Sequence, residues 1–259
     1  MSLAMTPVRG LRELFARGLV PAALGLAVAG CATAPVAGGD GSPSDGGRTL
    51  TLPRAAAAFG RAQHAPLPLQ PGEVVLTFDD GPNPATTPAV LEALANAHVQ
   101  ATFFMNGEPL LRAPDLARRV RAAGHTVGMH GFEHAHLAQL APERQLQDLH
   151  SMEAAYTKVF GCRASAWRFP FLEETEPLRQ ALADEGITVM SVDVGIDDWL
   201  ADQSPEVLVQ RLLERLAAAG GGIVLMHDAQ AQTAAALPLL LRALRDHGYR
   251  VVHLQWSGP

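Results

Sequence analysis

From residue 73 onward, short apolar runs alternate with longer amphipathic stretches of helical periodicity. The apolar runs predict seven strands, over residues 74–78, 101–105, 126–129, 167–171, 187–194, 223–226 and 250–254. The amphipathic stretches predict helices over residues 88–97, 114–123, 142–160, 177–184, 205–219 and 233–246. Regular strand–helix alternation is typical of a mainly parallel sheet covered by helices. We therefore expect an α/β fold, a distorted or incomplete (β/α) barrel of about seven mainly parallel strands, with its site at the carboxyl ends of the strands.

The first 30 residues have the pattern of a lipoprotein signal peptide. Three arginines precede an apolar stretch over residues 19–29, which is much shorter than the ~20 residues of a membrane-spanning helix. Residues 28–31 (VAGC) resemble a bacterial lipobox, which implies cleavage before Cys31 and lipidation of that cysteine. Two alternatives stay open: ordinary cleavage after Ala34, which releases a soluble secreted or periplasmic protein, and a short buried helix.

Residues 31–71 are rich in alanine, glycine, proline and serine, which predicts a flexible tether between the anchor and a folded domain over residues 72–259. The expected location is the cell envelope, with lipid anchorage as the only contact with a membrane. By resemblance to Gram-negative lipoproteins, an aspartate directly after the lipidated cysteine would retain the protein at the inner membrane. Here that position is Ala32. This favours the periplasmic side of the outer membrane.

Charge argues against nucleic acid as a partner. The 259 residues carry a formal net charge of −6, and no basic stripe with interleaved aromatic residues is present in the sequence. We expect a monomer.

Two adjacent carboxylates, Asp79 and Asp80, follow the apolar run 74–76, and Gly81-Pro82 then turns the chain. Adjacent residues of a strand point to opposite faces, so the two acids cannot perform the same task. One can hold a metal ion while the other accepts a proton. An acidic turn that caps the next helix is the alternative interpretation.

The ends of further predicted strands also carry reactive side chains, and barrel topology collects them at one end. They are His130 and His134, Arg168, Asp197-Asp198-Trp199, and His227 with the following Asp228. Two imidazoles and one carboxylate make a three-ligand zinc site with an open position, which is the arrangement of catalytic zinc. The spacing of four residues places both imidazoles on one side of a helical turn.

This ordered set of motifs resembles the polysaccharide deacetylase family (NodB-homology domain, carbohydrate esterase family four). The motifs are TFDDGP at 77–82, H-x-x-x-H at 130–134, R-x-P-F at 168–171, D-W at 198–199 and L-x-H at 225–227. The resemblance spans residues 73–255. It implies a distorted (β/α) barrel and metal-dependent removal of N- or O-acetyl groups from polysaccharides. It also implies that Asp80, His130 and His134 hold Zn²⁺, or another divalent ion such as Co²⁺ or Ni²⁺.

The resemblance further implies the catalytic roles. Asp79 is the expected general base for the attacking water, and Arg168 is expected to pair with it and keep it ionised. His227 is the expected general acid for the leaving amine, held protonated and oriented by Asp198. The backbone N–H of Phe171 is expected to stabilise the oxyanion. The side chains of Trp199 and Leu225 are expected to form the acetyl pocket, with simple core packing as the alternative.

Three positions depart from the family pattern. Gly131 stands where serine or threonine is usual, and Phe171-Leu172 stands where tyrosine-glycine is usual. An extra acid, Asp197, precedes Asp198, so the sequence leaves open which of the two touches the acid histidine.

The first functional expectation is a metal-dependent N-deacetylase of a cell-envelope polysaccharide, with peptidoglycan as the first substrate. The alternatives on the same site are a chitooligosaccharide deacetylase and an O-acetyl esterase of the xylan type. A non-catalytic glycan-binding lipoprotein is a further alternative, but it predicts loss of at least one of the catalytic or metal-site side chains, and all are present.

Overall fold

The computed structural model of the protein describes residues 47–258. The predicted signal peptide, Cys31 and the first part of the predicted tether lie outside the described residues. Within residues 47–258, none of the helices combines the length and the apolar character that crossing a bilayer requires.

Eleven strands and seven α-helices alternate along the described chain. The strands are β1 (Thr49–Pro53), β2 (Ala58–Phe59), β3 (Glu73–Asp79), β4 (Thr102–Met105), β5 (Thr126–Met129), β6 (Ala166–Trp167), β7 (Thr188–Met190), β8 (Val194–Gly195), β9 (Gly222–His227), β10 (Arg250–Val251) and β11 (His253–Ser257). The helices are α1 (Thr87–Asn96), α2 (Gly107–Arg112), α3 (Pro114–Ala122), α4 (Pro142–Phe160), α5 (Glu176–Asp184), α6 (Pro205–Ala219) and α7 (Ala231–Asp246). Two 3₁₀ turns cover Leu137–Gln139 and Pro170–Leu172.

Eight parallel strands form the main sheet in the order β2-β7-β6-β5-β4-β3-β9-β8, and β10 pairs with the start of β3. The sheet curls with helices on its outside, and this confirms the predicted incomplete (β/α) barrel. Helices end where the sequence provides capping chemistry: Gly161 after α4 and Gly220 after α6 are left-handed, with φ of 71° and 73°. The Ser204 hydroxyl caps the start of α6 by accepting from Val207 N–H.

Strand β3 is buried along its whole length because both of its faces are covered. Val74, Leu76 and Phe78 belong to the cluster that packs against the helices, where Phe78 stacks on Phe103 with ring centroids 5.1 Å apart. Val75 belongs to the second cluster, inside the barrel. Since side chains alternate along a strand, Asp79 points into the barrel as well.

The predicted tether boundary at residue 71 is wrong for the described part of that segment. Strand β1 pairs in parallel with β11, and β2 pairs in parallel with β7. Leu52 and Leu67 are buried in the inner cluster. Alanine-rich composition concealed these short strands because their partners lie more than a hundred residues away in the chain, and only the fold supplies them.

Two predicted strands are interrupted. The run 187–194 divides into β7 and β8, and the run 250–254 divides into β10 and β11. Between β7 and β8, the carboxylate of Asp193 accepts from the backbone N–H groups of Arg61 and Ile223, at 2.5 and 2.7 Å. A side-chain acceptor thus replaces regular ladder pairing here. Helix α2 was not predicted because its six residues are too few for a periodic signal.

Candidate active site

The carboxyl ends of the barrel strands bring the predicted site residues together. Asp79 and His227 are the last residues of β3 and β9, and they are register partners. His130 directly follows β5, and Arg168 directly follows β6. This position is the one expected for a site in a (β/α) barrel.

Asp80, His130 and His134 form a cluster whose potential ligand atoms all lie within 4.8 Å of one another. Asp80 Oδ1 is 3.2 Å from His134 Nε2 and 3.6 Å from His130 Nε2. Asp80 Oδ1 is buried and lacks a hydrogen-bond donor among the described residues. Burial lowers the pKa of His130 to about 3, so its imidazole is neutral, as a ligand must be.

The remaining ring nitrogen of His130 supports the same interpretation. His130 Nδ1 lies 2.8 Å from the carbonyl oxygen of Arg168, which fixes Nδ1 as the donor and leaves the Nε2 lone pair directed at Asp80. An orphaned carboxylate oxygen facing two imidazole nitrogens fits a divalent metal ion with open coordination positions.

The histidine pair lies on a loop, so the predicted helical turn is wrong. Gly131 and His134 both have left-handed backbone conformations, with φ of 82° and 56°, which a helix does not allow. Asp148 on α4 holds this loop by accepting from Phe132 N–H at 2.6 Å. A glycine suits residue 131 because it adopts positive φ without strain.

The side chains of Asp79 and Asp80 point in different directions because the backbone turns at Asp80, and strand alternation is not the whole cause. Strand β3 ends at Asp79, and Asp80 has a φ of 75°. The turn directs Asp80 toward the histidines while Asp79 stays inside the barrel. The expectation that the two acids face different partners is met by this geometry.

Arg168 is fully buried and holds Asp79 in place. Its Nη1 donates to Asp79 Oδ1 at 2.8 Å and to Thr77 Oγ1 at 2.7 Å. Its other nitrogens donate to the carbonyl oxygens of Met190 and Ser191, each at 3.1 Å. Burial raises the pKa of Asp79 above its ordinary value, and the Arg168 charge opposes that rise. A raised pKa moves this carboxylate toward that of an efficient base near neutral pH.

His227 and Asp198 form a second hydrogen-bonded pair at the strand ends. His227 Nδ1 is 2.8 Å from Asp198 Oδ1, and Asp198 Oδ2 accepts the backbone N–H of His227 at 2.7 Å. Burial disfavours the imidazolium, but the hydrogen bond and charge of Asp198, with the charges of Asp79 and Asp80, raise the pKa of His227 to about 9. His227 is therefore cationic at neutral pH.

The extra acid Asp197 has a different partner. Arg215 donates to both of its carboxylate oxygens, at 2.5 and 2.9 Å, and this hydrogen bonding lowers the pKa of Asp197. Asp198, which is fully buried, is thus the carboxylate in contact with His227.

The predicted pocket residues differ in exposure. Trp199 is half-exposed, and its ring lies edge-on to His227 with centroids 5.6 Å apart. Leu225 is buried in β9. Phe171 is half-exposed with a φ of 56°, and its ring lies 4.4 Å from the His134 ring.

Two further residues join the site that were given no role from the sequence. His136 stacks on the Phe171 ring with centroids 3.8 Å apart. Asp228 is fully buried and accepts the hydroxyl of Thr87; burial raises its pKa to about 7. Its oxygens lie so close to Gly81 that a Cβ there would overlap them. The acid directly after His227 was the available sequence signal.

Comparison with known proteins agrees with this geometry. A family model described as polysaccharide deacetylase matches residues 68–190. The chain is 32% identical to the chitin deacetylase of Colletotrichum lindemuthianum, over 71% of this chain and 78% of that protein. The curled parallel barrel and its Asp/His/His cluster define the same class of protein as these matches. The chain belongs to the polysaccharide deacetylase family.

Bacterial relatives include the peptidoglycan-N-acetylglucosamine deacetylase of Listeria monocytogenes, 31% identical over 69% of this chain. The match covers 37% of that protein, so the chain spans about a third of its length. Among solved structures, a peptidoglycan deacetylase of Bdellovibrio bacteriovorus superposes with a TM-score of 0.75 at 30% identity. That match covers 90% of this chain and 65% of the other.

Proposed function

We propose that this protein is a metal-dependent hydrolase that removes N-acetyl groups from a cell-envelope polysaccharide, with peptidoglycan as the first substrate. The observation that carries the proposal is the placement of Asp79 and His227 at the ends of neighbouring strands, beside the Asp80–His130–His134 cluster. A base, an acid and a metal-ligand set thus meet at one edge of the sheet.

Asp80, His130 and His134 would hold the metal ion. When bound, a divalent ion such as Zn²⁺ acts as a Lewis acid that polarises the acetyl carbonyl and makes water more acidic. The acetate-release assay described below compares zinc, cobalt and nickel and so identifies the ion.

The protein's own side chains then handle two protons. Asp79 accepts a proton from the water that attacks the acetyl carbon, and Arg168 holds Asp79 in the orientation for that transfer. The backbone N–H of Phe171 donates to the oxyanion of the tetrahedral intermediate. His227 donates its proton to the leaving nitrogen, the C–N bond breaks, and acetate and a free amine result.

The state of His227 favours an amide over an ester substrate. An amine is a poor leaving group until it is protonated, whereas an alkoxide depends less on an acid. His227 has a pKa of about 9, so it stays protonated through the neutral range and can supply the proton that an amide requires. Relatives named for peptidoglycan and for chitin support an N-acetylated polysaccharide.

Two side chains beside His227 belong to the proposed substrate contacts. The half-exposed ring of Trp199 and the buried side chain of Leu225 flank His227 and would accommodate the acetyl methyl group.

For location, we propose export with a lipid on Cys31. Radiolabelled palmitate should label the full-length protein and not a Cys31→Ser variant; an unlabelled wild-type protein would favour a soluble periplasmic or secreted form.

Acetate release tests the function. Purified protein is incubated with peptidoglycan, chitin oligomers and O-acetylated xylan after chelation, with and without Zn²⁺, Co²⁺ or Ni²⁺. We expect metal-dependent release that is largest from peptidoglycan, and a loss of ~10²–10⁴-fold in Asp79→Asn because a general base is removed. The matched control is Asp197→Asn, which lies outside the reacting groups. Release only from xylan, or undiminished activity of Asp79→Asn, would refute the proposal.

A further inference from the structure

A short segment ahead of the family match contacts the active-site loop. We define the strap as residues 58–65; it lies before residue 68, where the match to the family model begins. The strap starts with β2, which pairs with β7, and then forms a compact turn closed by a hydrogen bond from Gly60 N–H to the Ala65 carbonyl at 2.9 Å. Ser191 N–H donates to the carbonyl of Phe59 at 2.7 Å.

The strap also reaches residues next to the other side of the curled sheet. The Arg61 guanidinium donates to the carbonyl oxygens of Ala219, at the end of α6, and Gly221, directly before β9, at 2.8 and 2.5 Å. It also pairs with Asp193, directly before the terminal strand β8, at 3.1 Å. These contacts hold the strap against the residues that precede β8 and β9.

Beyond Arg61, the strap holds the loop over residues 170–174. Gln63 Nε2 donates to the Leu172 carbonyl at 2.8 Å, and Gln63 Oε1 accepts the Ser191 hydroxyl at 2.6 Å. The next residue, His64, contacts Glu174 through Nε2 at 2.5 Å. Ser191 in turn offers its carbonyl to the buried Arg168, so Gln63 connects the loop to the interior of the barrel.

This loop requires external support. Phe171 and Leu172 are consecutive left-handed residues, with φ of 56° and 57°, and neither is glycine. A left-handed residue that is not glycine is strained, and it persists only where surrounding contacts hold it. The strap supplies two contacts on the C-terminal side of the strained pair, one to the Leu172 carbonyl and one to the Glu174 carboxylate.

We propose that Gln63 and His64 are positioning residues that hold the strained 170–174 loop, and with it the backbone N–H of Phe171, against the active site. The catalytic consequence rests on the proposed deacetylase function, in which that N–H stabilises the oxyanion. The structural consequence does not: without the strap contacts, the loop leaves its left-handed conformation more often.

Gln63→Glu separates the two contacts of this side chain. The variant keeps an acceptor for the Ser191 hydroxyl but places a carboxylate oxygen against the Leu172 carbonyl, where a donor stood. Hydrogen–deuterium exchange of the peptide over residues 169–175 reports on the loop. We expect exchange about tenfold faster than in wild type, the scale of losing one hydrogen bond. We also expect kcat about tenfold lower with KM and Zn²⁺ affinity within about twofold, as for an interaction made only in the transition state.

Arg54→Gln is the matched control. Arg54 belongs to the same N-terminal region and donates to the Ala164 carbonyl at 2.8 Å, away from the loop; its variant should keep wild-type exchange in 169–175 and wild-type kcat. His64→Ala and His64→Gln form a second pair, in which glutamine restores a donor to Glu174 and should restore slow exchange.

Wild-type exchange in both Gln63→Glu and His64→Ala would overturn the proposal. Faster exchange with unchanged kcat would overturn its catalytic part. If wild-type protein releases no acetate from any substrate, the proposed function fails, while the exchange measurements still decide whether the strap holds the loop.

Discussion

Replacing Asp198 by asparagine tests whether a buried charge keeps His227 protonated. Asp198 accepts from His227 Nδ1 at 2.8 Å with one oxygen, and with the other it accepts the His227 backbone N–H at 2.7 Å and the Thr233 hydroxyl at 2.5 Å. Asparagine has the same size but no charge. The side-chain NH₂ of asparagine is itself a donor, so it must face at least one of the three groups that donate to Asp198 in the wild type, and that hydrogen bond is lost.

The size of the effect follows from the pKa of His227. That pKa is about 9 in the structure, against an ordinary value of 6.5. If the variant returns it to the ordinary value, the fall in the His227 pKa corresponds to roughly 3 kcal/mol. At pH 8 the protonated fraction then falls from about 0.9 to about 0.03, so kcat falls about 30-fold from this cause. At pH 6 both proteins are mostly protonated, and the same cause changes kcat less than about twofold.

The assay is the pH profile of kcat between pH 6 and 9.5, together with NMR titration of the His227 ring. The alkaline limb should move from near pH 9 toward pH 6.5 in Asp198→Asn. Thr233→Val is the matched control because it removes one hydrogen bond to Asp198 and keeps the charge, so its alkaline limb should stay near pH 9. A folded Asp198→Asn protein whose limb and ring titration stay near pH 9 would refute the electrostatic reasoning.

Three further predictions concern the neighbouring groups. Arg168→Met leaves the buried Asp79 carboxylate unpaired and should lower the free energy of unfolding, measured with urea, by about 3–5 kcal/mol; adding Asp79→Asn should recover most of the stability and none of the activity, and no recovery would contradict the pairing. His134→Ala should weaken Zn²⁺ binding in calorimetry by more than ~100-fold, whereas His136→Ala should bind as wild type, and equal losses would contradict the ligand assignment. Asp228 has a folded pKa raised to about 7, so its contribution to stability is complete below about pH 4 and is lost as pH rises through 7. In metal-free protein, the melting temperature of Asp228→Asn should therefore gain on that of wild type between pH 5 and pH 8, and a difference that does not change with pH would show that Asp228 does not titrate there.

Local patterns were sufficient for most elements, and the sequence motifs named most of the residues that the structure brings together at the candidate site. Helix α4 coincides with the predicted 142–160, because a long amphipathic face between a first-turn proline and a terminal glycine is encoded in adjacent residues. The strand-end positions of Asp79 and His227 followed from apolar runs that stop at those residues. The fold class followed from the same patterns and the family from the resemblance of the ordered motifs, and both are confirmed.

Long-range partners decided the rest. Strands β1 and β2 have few residues and no distinctive composition, and they exist because β11 and β7 offer free edges. The same holds for the choice between the adjacent acids Asp197 and Asp198. Arg215 on α6 pairs with Asp197, and Asp198 is the acid that contacts His227.

The sequence by itself determined which side chains gather at the candidate site and in what order their strands follow one another, because each motif is local and the barrel topology collects strand ends at one edge. Only the tertiary structure decided how those side chains are held. The left-handed turn at Asp80, the loop that carries His130 and His134, and the contacts of Gln63 and His64 depend on groups distant in the chain. Such hydrogen bonds join residues that are far apart along the chain, and a single sequence does not show which of those residues will be neighbours in the fold.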